Sequence, residues 1–290
     1  MKSSLHDIGA EELRAIDLTQ FNGGKSPYPA HDLSLERLFA RPIDYYWSTV
    51  TETVGATGGR VLDLLCGPGR WSVFLAATNK EVVGVDQLPG CVNIARGLCK
   101  HFGLDNAVFH AADVSYIEKL PDEHFDCVWM YSALQYVDRG FALPQVFRVL
   151  KPGGRLYVGN YNSTGLMLQH VINGAEKDQI NEGSSQWALN ALQRGEQHDG
   201  YPNYISVKGT PEMCARFGFE VVRAASDADF YKQAAAPSAP GGKKLFGLHD
   251  LTVSFVATKR GGASQPPLRA ATHPGRFALA ARAWRKLRRG

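Results

Sequence analysis

The chain has 290 residues, 44% hydrophobic and 21% charged, proportions of an ordinary globular protein with room for one large α/β domain and insertions. Disorder throughout, collagen and coiled coil are excluded by this composition. The formal net charge of +4 is unevenly spread: residues 261–290 hold seven basic side chains and no acidic one, so the rest sums to 4 − 7 = −3 and carries no general argument for nucleic-acid binding.

The opening segment MKSSLHDIGAEELRAID lacks the apolar core of a secretory signal, and no apolar run approaches the roughly 20 residues that span a bilayer, so a cytoplasmic protein is expected. Residues 1–20 and about 43–55 carry helical spacing and are joined by a Gly-, Pro- and Tyr-rich stretch, Phe21 to Pro42. From Gly59 to about Tyr161, short apolar runs alternate with helical patterns. Arg60–Leu65, Glu81–Val85, Ala107–Ala111, Phe125–Tyr131 and Arg155–Asn160 have the length and apolar content of strands covered on both faces. Trp71–Ala77, Cys91–Phe102 and Phe141–Leu150 are the helices between them. The LKPGG segment, Leu150–Gly154, is expected to end a helix, stop it with Pro and turn on Gly into the next strand.

Residues 162–209 interrupt the alternation. It resumes with a helix over Thr210–Phe217, with Thr210 as N-cap and Pro211 in its first turn, and with strands at Glu220–Arg223 and Leu251–Thr258. Strand, helix, strand in repetition requires right-handed crossovers. The expected fold is α/β: a Rossmann-like open, mostly parallel seven-stranded sheet with helices on both faces. An N-terminal helical cap (1–57) precedes a core domain (58–260), which carries a lid insertion (162–209), and a basic tail (261–290) follows. Five cysteines without a CxxC pair argue against a disulfide framework or a zinc knuckle and are expected to be small buried hydrophobes.

VLDLLCGPGR, Val61–Arg70, is the strongest local signal: a buried strand ends in a turn where Gly67 and Gly69 let the backbone bend sharply and approach a ligand. A dinucleotide fingerprint would need a third small residue at position 72, where Ser72 serves only marginally, and a P-loop would need Gly-Lys-Ser/Thr. Asp63, near the strand end, suits an amino group and so favours a zwitterionic ligand. Asp86 follows Gly67 by nineteen residues, the spacing at which a carboxylate meets a ribose and accepts from two hydroxyls. Asp113 ends the third strand, where its carboxylate suits an exocyclic adenine amino group and the Val114 N–H a ring nitrogen.

In order and spacing, VLDLLCGPGR, VVGVDQLPG, HAADV, FDCVWMYSALQYV and VFRVLKPGGRLYV resemble the class I S-adenosylmethionine (SAM)-dependent methyltransferases, especially the small-molecule branch that includes ubiquinone and menaquinone methylases. The resemblance implies SAM as cofactor. It implies that Asp63, Gly67 and Gly69 hold the methionine part, Asp86 the ribose, Gln87 and Leu88 the neighbouring edge of the nucleoside, and Asp113 with Val114 the adenine, with Tyr131 and Ser132 near the reactive methyl. Two departures stand out: Leu65 occupies the family's usual first glycine, and Gln135 stands where many relatives have histidine.

The acceptor is expected to be a small molecule and its site to come from outside the common core: Tyr28, His31, Tyr45, Tyr46 and Trp47, together with His170, Trp187, His198, Tyr201 and Tyr204. His170, His198 and Tyr131 are the candidate catalytic groups; no metal site is expected. The tail Phe277–Arg289 is either a loosely packed end, an amphipathic helix making peripheral contact with an anionic membrane, or, last in order, a contact for nucleic acid. An RNA or tRNA methylase, a non-catalytic protein of the same fold and a nicotinamide dehydrogenase are the alternatives to small-molecule methylation.

Overall fold

In the computed structural model of the chain, residues 5, 8–27, 38–161, 207–231, 253–262, 265, 266 and 268 are described. The expected apolar runs form seven strands: β1 (Arg60–Leu64), β2 (Glu81–Asp86), β3 (Ala107–Ala111), β4 (Phe125–Tyr131), β5 (Leu150–Tyr161), β6 (Phe219–Ser226) and β7 (Val253–Lys259). They make one sheet in the order β3-β2-β1-β4-β5-β7-β6. All neighbours from β3 to β5 are parallel, and β7 runs antiparallel between β5 and β6. The chain winds outward in one direction from β1 to β3 and in the other from β4, so the switch point where such sheets bind ligands lies at the carboxyl ends of β1 and β4.

The period of two in the strands sorts their side chains onto opposite faces. Val61, Cys127, Trp129 and Tyr157 join one apolar cluster with α1 (Ala10–Arg14), α2 (Ile43–Ser48), α3 (Arg70–Thr78), α4 (Pro89–His101) and Phe230 of α7 (Asp227–Phe230). Leu62, Leu64, Val128, Met130, Leu156 and Val158 join the other with α5 (Arg139–Val149) and α6 (Thr210–Arg216). Among the described residues no helix is long and apolar enough to cross a membrane.

Several local expectations change. Among the described residues, the helical pattern of residues 1–20 yields α1 and a 3-10 turn, Leu18–Asn22, which docks on α4 at Gly97, where a Cβ would lie 2.5 Å from Phe21 Cγ. The second N-terminal helix relaxes after Ser48 into a π-helical turn, Thr49–Val54. LKPGG lies within β5 rather than before it: residues 151–154 are a bulge between the pairs Phe125↔Leu150 and Cys127↔Arg155, with Gly153 left-handed at φ +74. Thr210 is not an N-cap but the first residue of α6, because the 3-10 turn Val207–Gly209 leads straight into the helix and puts Gly209 at the cap. The insertion expected to be a lid and the tail, residues 162–206 and 269–290, lie outside the described residues.

The cap is fastened to the base of the sheet by polar contacts that satisfy backbone groups. Arg155 Nη1 donates to the Val54 and Gly55 carbonyls at 2.8 and 2.6 Å. Asn79, buried just past α3, donates from Nδ2 to the Ala56 and Leu75 carbonyls at 2.8 and 2.9 Å and accepts from the Gly59 N–H at 3.1 Å. Asn79→Ala strands these backbone groups, so urea unfolding is expected to show a loss of about 2–3 kcal/mol, the cost of unpaired buried donors and acceptors.

Candidate active site

At the switch point the chain leaves β1 through five residues. Leu65 adopts φ +60, Gly67 φ +55 and Gly69 φ +83, and α3 begins at Arg70. The expected strand therefore stops one residue early, at Leu64, because Leu65 leaves extended backbone at the start of the turn. The turn is tied to β2 on two sides. The Cys66 N–H donates to the Val85 carbonyl at 3.0 Å and the Gly67 N–H to Asp86 Oδ2 at 2.9 Å. It also presses on α4, since a Cβ on Gly69 would sit 2.7 Å from both Cα and Cβ of Ala95. Cys66 is half-buried, and Cys91, Cys99, Cys127 and Cys214 are buried; all five are free thiols.

The three acids occupy three environments. Asp63 lies inside β1, 2% exposed, beneath the turn rather than on the open rim, and its Oδ2 accepts from Ser72 Oγ at 2.5 Å. Burial pushes its carboxyl up to about 7; the Ser72 hydrogen bond opposes that rise and the nearby Asp86 charge adds to it. Asp86 ends β2, half-buried, with Oδ1 accepting from the Leu88 N–H and Oδ2 from the Gly67 N–H, each at 2.9 Å. Burial raises its carboxyl too, against the lowering by the Leu88 and Gly67 hydrogen bonds. Asp113 stands two residues past β3, exposed, and caps the 3-10 turn Val114–Lys119 through Ser115 N–H at 2.9 Å. Gln87 is exposed and Leu88, the N-cap of α4, is half-buried.

At the carboxyl end of β4, Tyr131 is the last strand residue and Ser132 turns left-handed at φ +50; on β5, Asn160 does the same at φ +51. Asn160 Nδ2 donates to Ser132 Oγ at 2.5 Å, and its N–H to Ser254 Oγ at 3.0 Å. Leu65, Ser132 and Asn160 thus place left-handed non-glycine residues at the ends of three adjacent strands, a concentration of unfavourable backbone that marks functional rims. Gln135 lies in a short 3-10 turn, Leu134–Tyr136, and is buried.

Tyr45 and Tyr46 are buried and Trp47 half-buried on α2. Tyr28, His31, His170, Trp187, His198, Tyr201 and Tyr204 lie outside the described residues. Ser72, which sequence reasoning weighed only as a poor third glycine, is instead the partner of Asp63. Among the described residues no group of three His, Cys, Asp or Glu side chains is placed to hold a metal ion.

A mostly parallel sheet in this strand order, with a glycine turn after β1, defines an open Rossmann-like α/β fold. Residues 61–154 match the family described as a methyltransferase domain. The ubiquinone biosynthesis O-methyltransferase of Xylella fastidiosa (strain 9a5c) is 30% identical over 186 residues, covering 60% of this chain and 70% of that protein. The demethylmenaquinone methyltransferase of Tropheryma whipplei (strain Twist) is 35% identical over 162 residues, 54% of this chain and 62% of that one. A solved Haloferax volcanii methyltransferase, in complex with the Trm112 methyltransferase activator, shares the fold at TM-score 0.50 and 21% identity, covering 75% of this chain and 92% of that one. The chain belongs to the class I SAM-dependent methyltransferases.

The buried Asp63 sets a pH dependence. An unfolded Asp titrates near 3.8 and the native one near 7, so between these values the native state holds a proton that the unfolded state has lost. Stability therefore falls as pH rises through this window, by up to about 1.4 kcal/mol per pH unit for one proton. Asp63→Asn is expected to flatten the urea-midpoint profile between pH 4.5 and 7; a profile as steep as that of the native protein would show that Asp63 does not titrate there.

Proposed function

We propose that the enzyme transfers the methyl group of SAM to a small-molecule acceptor by in-line displacement, with the cofactor lying along the carboxyl ends of β1, β2 and β3. In this reading Asp86 binds the ribose hydroxyls, with Gln87 and Leu88 flanking the nucleoside. Asp113 accepts from the adenine amino group, and the Val114 N–H donates to the ring. Asp63, Gly67 and Gly69 hold the methionine end; Tyr131 and Ser132 border the methyl.

The observation that carries the reading is the state of Asp86. A carboxylate offers about four lone-pair positions, and the Gly67 and Leu88 N–H groups use one on each oxygen. The remaining positions are held in fixed orientation, which suits two neighbouring hydroxyls without further ordering cost. Gly67, half-buried and left-handed at φ +55, puts no side chain between the turn's backbone and a ligand, while the missing Cβ of Gly69 makes room for Ala95 of α4.

SAM supplies an activated methyl on a sulfonium. What the chain must then do is hold acceptor and cofactor at near-attack distance and keep water out, an alignment that supplies several kcal/mol. A base is needed only for a weak nucleophile such as a hydroxyl; His170, His198 and Tyr131 are the proposed candidates. Acceptor choice is assigned to the parts flanking the common core, residues 1–57 and 162–209. The quinone-type names of the relatives support a small oxygen-bearing acceptor.

Calorimetry with S-adenosylhomocysteine tests the cofactor assignment. Hydrogen bonds to a charged group contribute about 1.5–3 kcal/mol, so Asp86→Ala is expected to weaken binding by roughly tenfold or more with the circular dichroism unchanged. Unaltered affinity would remove Asp86 from the site.

A further inference from the structure

The helix α4 carries glycine at positions 90 and 97, although glycine is the poorest helix former after proline. Seven residues apart, the two lie on one face of the helix, with Asn93 beside them. The segment Asp17–Pro27 fills that face. A Cβ on Gly97 would meet Phe21 Cγ at 2.5 Å and Phe21 Cβ at 2.6 Å, and a Cβ on Gly90 would meet Pro27 Cβ at 2.9 Å and Asn22 Nδ2 at 3.0 Å. The Phe21 ring also stands edge-on to His101, in the last turn of α4, at 6.0 Å.

The segment has the shape of a clasp. Asp17 Oδ1 accepts from the Thr19 N–H at 3.0 Å and starts the 3-10 turn; Gly23 and Gly24, left-handed at φ +63 and +74, then reverse the chain, and the Gly24 N–H donates to the Thr19 carbonyl at 3.0 Å. Asn22 Nδ2 donates to the Lys25 carbonyl at 2.9 Å, and Asn22 Oδ1 accepts from Asn93 Nδ2 at 3.2 Å. Both of these bonds are exposed, where water competes, so the packing of Phe21 and Pro27 carries most of the hold. A segment held in this way opens at far lower cost than the sheet. Its far end meets the ligand rim. Gly90 lies in the first turn of α4, two residues past Leu88, whose N–H donates to Asp86 and whose carbonyl accepts from the Val92 N–H at 3.1 Å.

We propose that the Asp17–Pro27 clasp is coupled to the Asp86 end of the ligand cleft: a ligand on Asp86 holds the clasp closed on α4, and an open clasp weakens that ligand. The link is the first turn of α4, pressed by Pro27 and Asn22 at Gly90 and tied through Leu88 to the carboxylate. A ligand that fixes Asp86 fixes this turn, and the clasp then closes on a fixed surface. Opening the clasp frees the turn and, with it, the carboxylate. Such coupling is reciprocal, so one factor must appear in both directions. The inference rests on the cofactor reading given above.

Hydrogen exchange of the amides from Thr19 to Lys25 and calorimetry with S-adenosylhomocysteine, both on the full chain, measure the two directions. Saturating S-adenosylhomocysteine is expected to slow exchange of these amides about fivefold or more. Phe21→Ala is expected to remove that protection and to weaken S-adenosylhomocysteine by the same factor, to within about twofold. Gly97→Ala favours the helix while crowding Phe21, and it is expected to act alike; the double variant should bind no more weakly than either single one, because both lose the same contact. Gly97→Ala also keeps the test open should Phe21→Ala disturb the fold. Exchange unmoved by S-adenosylhomocysteine, an affinity unmoved by both variants, or two effects that add, overturns the coupling. Failure of S-adenosylhomocysteine to bind the unaltered protein sinks the cofactor reading instead, and the coupling with it.

Discussion

One carboxylate holds the ligand edge of this sheet together. Asp86 ends β2 and receives the Gly67 N–H from the turn after β1 and the Leu88 N–H from the start of α4. Beside it, a turn with three left-handed residues within five positions is held by the Cys66 N–H bond to the Val85 carbonyl and by the close contact of Gly69 with Ala95. The same interaction fixes the turn and the orientation of both carboxylate oxygens, so in the proposed function the group that holds the scaffold is also the one that meets the ribose. Burial works against this arrangement by raising the Asp86 carboxyl, and the two backbone donors are what keep the charged form accessible.

Around that tie the rim concentrates features that are unfavourable taken singly. Leu65, Ser132 and Asn160 hold left-handed backbone; Asp63 is buried with its proton affinity raised; Trp71 carries a buried N–H without an acceptor. Each costs of order 1–3 kcal/mol by itself. They persist because the two apolar clusters on the faces of the sheet supply the stability, and because the carboxyl ends of β1 and β4 are where the topology leaves an opening. A site at the switch point of a rigid sheet keeps its geometry while tolerating such local cost.

The core was legible in the sequence because strands covered on both faces must be almost wholly apolar, and VLDLL, EVVGVD and FDCVWMY satisfy that without ambiguity. Antiparallel β7 follows from no local pattern: its direction is fixed by pairing with β5 and β6. Leu65 was read as the end of a strand because leucine gives no warning of positive φ; its place in the glycine turn was the only signal. LKPGG points to a helix end, a Pro stop and a Gly turn, where β5 instead bulges, because Pro and Gly mark a bulge and a stop alike. The Ser72 hydroxyl on Asp63 joins a strand to the next helix across nine residues, and only the folded turn brings the two together. Still less visible was the meeting of Tyr45, Trp71 and Tyr131, from three separate elements, with Tyr231 just past α7, since local periodicity says nothing about which helix end meets which strand end.

The central claim is that the carboxyl ends of β1, β2 and β3 grip a nucleoside joined to an amino acid. A crystal structure of the chain with S-adenosylhomocysteine tests it most directly. The account predicts both ribose hydroxyls within hydrogen-bonding distance of Asp86, the adenine edge against Asp113 and Val114, and the homocysteine end over the Gly67–Gly69 turn. A ligand bound elsewhere, or a ribose turned away from Asp86, would contradict it.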